Sequence, residues 1–380
     1  MSAPGGRDPE APRGLVDWLE RRINLSEIFS FLTHFGLVYT PVDTRRPVRE
    51  VLRGVAEQRV PRLAQGPRVL GLLGAILFAL QAVTGVLLAY YYRPTPEAAF
   101  ESTRTIVRDL PAGWLLHQVH AWGAWLLVAV VVARLLRLFW DGLYRAPREV
   151  LWFCAVATTW VVVQSDFTGK LLTWDSHSYW STVRGLELVF GIPIVGPVLA
   201  FLLGGHTLNE NVLTRFYVLH VMVLPVFFLV FLYLTFATLR RVGVARATPA
   251  GYEDTVRYRD HLYSLVMLTV LMFAVLVTLA TLVPFGFREA ADPYATPVGM
   301  RPPWYMLAPY VLMQKLPVPG WIGGLVLLAI AVGVLLLPLW LRADETAPMR
   351  RRFRAIGLAV VVMWTALSVL GALLERGVKP

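Results

Sequence analysis

The sequence predicts an all-α, polytopic membrane bundle of about seven transmembrane helices, a four-helix bundle followed by three more. Three observations predict it. First, 56% of the 380 residues are hydrophobic and mean hydropathy is +0.57, more apolar than a soluble domain. Second, apolar runs of bilayer-spanning length recur along the chain. Third, arginines cluster in alternate connections between those runs, as cytoplasmic loops require. The net charge of +11 therefore reads as a topology signal, and nucleic acid is not expected as a partner. The single Cys154 excludes a disulfide framework and a thiolate cluster.

Residues 1–68 read as a cytoplasmic tail and a membrane-surface segment. Residues 1–15 are rich in Pro, Gly and charge and are expected to be disordered. From Val16 the strings VDWLERR and IFSFLTHF read as an amphipathic helix on the membrane, too broken to span it. Arg45, Arg46, Arg49, Arg53, Arg59, Arg62 and Arg68 precede the first span and place the amino terminus in the cytoplasm. No cleavable signal is expected ahead of them.

Spans are predicted at 69–91, 114–138, 150–172, 213–238, 262–284, 321–341 and 355–374. The third is the weakest, because Gln164, Ser165 and Asp166 interrupt it; without it the inside loops lose their basic bias. With it, Arg145 and Arg148, then Arg240, Arg241, Arg246, Arg257 and Arg259, then Arg342 and Arg350 to Arg352 all fall inside, and the carboxyl terminus falls outside. Residues 69–245 form the four-helix part and 246–380 the three-helix part.

Two histidines stand out. His120 lies in the second span and His220 in the fourth, each about seven residues past its start and so about 10 Å in from the outer surface. Those two helices run in the same direction in this topology. Paired imidazoles at equal depth suit the two axial positions of one haem iron, with His120 and His220 as its ligands. The alternative is two buried histidines, each bonded to a neighbour.

The strings QAVTG (81–85), YYRPTPEAAF (91–100), GWLLHQVHAWGA (113–124), PREVLW (147–152), IPIVGP (192–197) and LTRFYVLH (213–220) resemble cytochrome b of the bc-type quinol-oxidising complexes. DWLER near the start and the five-residue step from His220 to Pro225 resemble its chloroplast-type branch. The last three spans, with PPWY at 302–305, resemble that branch's separate subunit IV, here fused to the haem domain. The resemblance implies haem b between the second and fourth helices, close to Gly85 and Gly169, and quinol oxidation at the outer face. It also implies a Rieske iron–sulfur protein and a c-type cytochrome as partners, a dimer, and the cytoplasmic (inner) membrane of a bacterium.

The sequence departs from that pattern in several places. Inner-haem histidines are expected at Arg134 and Thr235, neither of which is a usual haem ligand. Gly71 persists on the first helix, but the third-helix glycine position is Ala155. The inner haem is therefore predicted to be absent or differently ligated, leaving one, on the outer side. No covalent c-type haem is expected, since Val69 stands where the branch has its attachment cysteine and the chain lacks a cysteine pair. Pro303 replaces the glutamate of the family's PEWY motif, which accepts the quinol proton.

Asp166 is then a candidate acceptor, against the plainer reading of a solvated helix-end carboxylate, and Asp175 lies just beyond; Tyr305 of the PPWY string is a second candidate catalytic residue. His117, one turn before His120, replaces a family arginine and is either a donor to a haem propionate or an interfacial polar residue. Arg134 and Arg137 are expected to snorkel to the inner surface. Two functions remain open: the haem subunit of a quinol-oxidising complex, or a diverged cytochrome b serving as a structural or assembly subunit.

Overall fold

A computed structural model of the chain describes residues 15–20, 23–33, 43–61, 68–242, 255–286, 288–297, 302–315, 319–340 and 347–377. His34, Arg62, Arg246 and Arg342 lie outside them. The amphipathic amino-terminal segment is two short helices, α1 (Leu15–Glu20) and α2 (Leu25–Thr33), followed by α3 (Val48–Glu57).

Next come β1 (Arg59–Pro61), α4 (Arg68–Ala89), α5 (Ala99–Arg108), α6 (Gly113–Trp140), α7 (Glu149–Leu171), α8 (Ser176–Phe190), α9 (Val195–Leu203) and α10 (Glu210–Val218). A π-turn, Leu219–Val223, joins α10 to α11 (Leu224–Val242). After β2 (Thr255–Arg257) and α12 (Tyr258–Leu282), a 3₁₀ turn, Trp304–Met306, opens α13 (Leu307–Lys315). The chain closes with α14 (Gly320–Leu335), α15 (Leu337–Trp340) and α16 (Ala347–Gly377).

Among the described residues, six helices are long and apolar enough to cross a membrane: Val69–Ala89, Gly113–Trp140, Glu149–Leu171, Glu210–Val242, Tyr258–Leu282 and Pro348–Leu373. The sixth predicted span, 321–341, is a broken helix. Its first part, α14, has 16 residues, about 24 Å. The break has a cause in Pro338, which cannot donate to the carbonyl of Val334 and crowds it. Trp152 Nε1 takes over, donating to Val334 O at 2.8 Å.

The third predicted span survives its polar run because the helix absorbs it. Ser165 Oγ donates back to Val161 O at 2.9 Å and Thr168 Oγ1 to Gln164 O at 2.8 Å, so neither hydroxyl is left bare in an apolar setting.

The fold also contains one element that the sequence pattern does not announce. β1 and β2 pair antiparallel, Arg59 opposite Arg257 and Pro61 opposite Thr255, which ties the segment before α4 to the start of α12. Three residues are too few to show the alternation that marks a strand.

The core runs through the bundle. Leu77, Val128 and Leu276 are fully buried at its middle, and the rings of Phe78 and Phe228 stack there at 3.9 Å. Tyr305 belongs to the same cluster, so the loop before α13 docks onto the first four spans. A second cluster, with Leu171, Trp174, Leu213 and Phe216, lies beside the histidines' end of the bundle. A third, with Leu138, Leu151 and Trp152, lies at the opposite end.

Candidate functional site

His120 on α6 and His220 in the π-turn bring their ring centroids to 6.2 Å, with the planes at 75°. The π-turn has a local origin. Pro225 has no N–H to return to the preceding turn, and Leu224 N bonds to Leu219 O, five residues back. Such single-turn bulges recur at functional sites, and here the bulge contains His220.

Hydrogen bonds assign both tautomers. His220 Nδ1 lies 3.0 Å from Ser165 O, a carbonyl that can only accept, so Nδ1 donates. Thr84 Oγ1 lies 2.7 Å from Leu80 O and 2.8 Å from His120 Nδ1. Its one hydrogen goes to the carbonyl, so it accepts from Nδ1. In each ring the Nε2 lone pair is left for a metal, and the Nδ1 bond fixes the ring's orientation.

Glycines give the rings their room. A Cβ on Gly169 would stand 2.5 Å from His220 Cε1, and one on Gly85 would stand 3.2 Å from His120 Cε1. Among the described residues no group of three or more His, Cys, Asp or Glu side chains gathers anywhere. A bare imidazole pair with no third protein donor does not suit zinc. It does suit an iron whose remaining nitrogens come from a porphyrin.

Helix α7 serves the site with two faces. Residues three and four apart share a helix face, so Ser165, Thr168 and Gly169 all reach His220. Asp166 and Lys170, also four apart, present the neighbouring face. Asp166 is 7% exposed, so the solvated helix-end reading of it is corrected: α7 continues to Leu171, and Tyr305 and Lys170 close on its carboxylate. Its Oδ2 accepts a short hydrogen bond from the Tyr305 hydroxyl and pairs with Lys170 Nζ at 2.8 Å.

Lys170 also sits over the rings of Trp125, at 5.5 Å, and Tyr305, at 5.7 Å. Lys170 escaped the sequence reading, although an aspartate four residues ahead of a lysine on a helix is a recognisable pair. Tyr305 is delivered by Pro302 and Pro303, which lead into the 3₁₀ turn, where Met306 N bonds Pro303 O at 2.8 Å.

The other candidates fall into place around this centre. His117 is on α6 one turn from His120, and its buried Nδ1 has no hydrogen-bond partner among the described residues. Asp175 is a helix cap: its Oδ1 accepts from His177 N and Ser178 N, both at 2.9 Å, and opens α8. On the rim, burial pushes the phenols of Tyr92 and Tyr179 above their usual value, and repulsion from Tyr217 and Tyr294 adds to it. Both therefore remain protonated.

The expectation that Arg134 and Arg137 snorkel together is corrected. Arg137 pairs with Asp141 at 3.0 Å, whereas Arg134 lines a cleft inside the bundle.

Two family models cover most of the chain. "Cytochrome b/b6/petB" matches residues 57–243 and "Cytochrome b(C-terminal)/b6/petD" matches residues 290–379. The "Cytochrome b" of Rickettsia prowazekii (strain Madrid E) is 30% identical over 346 residues, covering 87% of this chain and 79% of that protein. The chain belongs to the cytochrome b/b6 family.

The "Cytochrome b6" of Heliobacterium modesticaldum (strain ATCC 51547 / Ice1) is 35% identical over 207 residues, 54% of this chain and 97% of that protein. Among solved structures, a chain of "Hyperthermophilic respiratory Complex III" shares the fold with a TM-score of 0.74 at 23% identity, over 96% of this chain and 92% of that one. As a cytochrome b/b6 chain carrying both halves, it has a b6-like part fused to a part like subunit IV. It is a multi-pass, haem-bearing membrane subunit of the bc type.

Proposed function

We propose that this cytochrome b is the haem subunit of a quinol-oxidising bc-type complex in a bacterial inner membrane. In this reading its amino terminus is cytoplasmic and one haem b lies near the outer face, beside the quinol. The single observation that supports it best is the double use of α7. One face bonds His220 through Ser165, and the next holds Asp166 against Tyr305 and Lys170, so an imidazole pair and a buried carboxylate lie a helix width apart.

A bound haem supplies a one-electron acceptor at this place. His120 and His220 would hold it by Nε2, Gly85 and Gly169 would leave it room, and His117 would offer a propionate its Nδ1, which has no partner among the described residues. Asp166 takes the proton of a quinol hydroxyl, the task left vacant by Pro303. Its described contacts both fall on Oδ2, which leaves Oδ1 for the substrate. Lys170 provides the countercharge that a buried carboxylate needs, and Tyr305 fixes the carboxylate's orientation. A Rieske protein, followed by a c-type cytochrome, takes the other electron, in a dimeric complex.

The loss of the glutamate at Pro303, together with Arg134 and Thr235 at the far end, favours a second reading, a structural or assembly subunit with one haem. Adding quinol to the purified complex separates the two. Catalysis predicts haem reduction that an outer-site inhibitor blocks and that Asp166→Asn slows by roughly 100-fold. No reduction in the unmodified complex leaves the scaffold.

A further inference from the structure

Outside the spans, on the histidines' side of the bundle, α9 lies against α8 and α10. One face of it is buried: Ala200 and Leu203 point inward, Leu203 into the cluster with Trp174 and Phe216. The opposite face is apolar and bare. Ile194, Val195, Val198, Phe201 and Leu202 recur there at helical spacing, and Ile194 and Phe201 are 82% and 81% exposed. No Asp, Glu, Lys or Arg occurs between Glu187 and Glu210.

Both ends of this helix are closed without water. A helix start ordinarily leaves its first N–H groups to solvent or to a side-chain cap, and here no side chain caps it. Instead Val195 N bonds Pro193 O and Gly196 N bonds Ile192 O, both at 2.8 Å, while Pro197 has no N–H to satisfy. The first of these bonds closes a γ-turn with Ile194 at φ 69° and ψ −51°, a strained conformation for a β-branched residue. At the other end Gly204 N and Gly205 N both bond Ala200 O at 2.9 Å. Arg215 Nη1 donates to Phe201 O at 3.1 Å and to Leu202 O at 2.8 Å.

An uncharged helix whose backbone is satisfied from within suits an apolar medium, whereas a protein docking surface carries a polar rim and directional hydrogen bonds. Arg215 supplies the depth. It stands near the start of the Glu210–Val242 span, and the exposed apolar residues Val218 and Met222 follow it about one and two turns further along. Through Arg215 the bare face of α9 is tied to the level at which the lipid-facing surface of that span begins.

We infer that α9 is seated in the membrane: Ile194, Val198, Phe201 and Leu202 dip into the acyl chains of the leaflet on the histidines' side, with the Arg215 guanidinium among the headgroups. The strained turn then has a use, since it closes the Val195 N–H and turns the Ile194 side chain outward at once. The inference does not depend on quinol oxidation or on the number of haems.

Spin-label accessibility on the intact complex in phosphatidylcholine nanodiscs tests it. Cys154 is buried and stays in place, and the unmodified complex treated with the same reagent gives the background. Nitroxides are attached at Phe201→Cys and Val198→Cys, with Glu210→Cys as the aqueous reference. Oxygen, which partitions into acyl chains, should relax the labels at positions 198 and 201 several-fold more than a water-soluble nickel chelate does, and at position 210 the order should reverse. Haem absorbance shows that each variant assembles, and if Phe201→Cys does not, Val198→Cys carries the test. Relaxation mainly by the nickel chelate at 198 and 201 would place the helix in water, and protection from both agents would place it under another protein subunit. Either result overturns the inference.

Discussion

Three groups converge on His220: the Ser165 carbonyl and the Thr168 hydroxyl at Nδ1, and the bare Cα of Gly169 against the ring. They orient one imidazole and leave its other nitrogen available. On His120 the Thr84 hydroxyl and Gly85 play the same parts. Replacing either histidine by alanine is expected to abolish the haem absorbance of the purified protein, because a single imidazole cannot supply both axial bonds.

The two glycines should not be equivalent. An added Cβ would meet His220 Cε1 at 2.5 Å from position 169 but His120 Cε1 at only 3.2 Å from position 85. Gly169→Ala should therefore lose most of the haem, whereas Gly85→Ala should retain most of it. Equal haem content in the two purified variants would contradict that geometry.

At the scale of the element, α7 shows what sequence can and cannot reveal. Its existence is legible only through charge: without a crossing at 150–172, Arg240 and Arg241 fall on the opposite side from Arg145 and Arg148, whereas the polar run at Gln164 to Asp166 argues against a span. What could not be read was the partner of each polar side chain. Asp166 resembles a solvated residue until Tyr305, 139 positions away, is brought beside it. The π-turn around His220 was hidden too, although Pro225 was its visible cause. The break after α14 was equally written in Pro338, but its repair by Trp152 depends on tertiary contact. Local rules thus located the helices and the two histidines, while everything that gives Asp166 a role came from packing.

For the molecule as a whole, the instructive contacts are those that join the b6-like half to the half like subunit IV. Besides Tyr305 with Asp166, the buried Gln118 side chain exchanges two hydrogen bonds with the backbone of Phe285, Nε2 to O at 2.9 Å and N to Oε1 at 2.8 Å. Trp122 Nε1 adds a bond to Val283 O at 2.9 Å. Gln118→Ala leaves both backbone groups of Phe285 bare and should lower stability by about 1–3 kcal/mol, seen as a lower melting temperature. Because α6 carries both Gln118 and His120, a loosened joint should also slow quinol-dependent reduction without removing the haem.

The two ends of the bundle differ in kind: one carries the imidazole pair of His120 and His220, and the other carries Arg134 and Thr235. The number of b haems per chain, measured by pyridine haemochrome against protein mass, tests that asymmetry most directly. A value near one is predicted, falling to zero in His120→Ala. A value near two would contradict it.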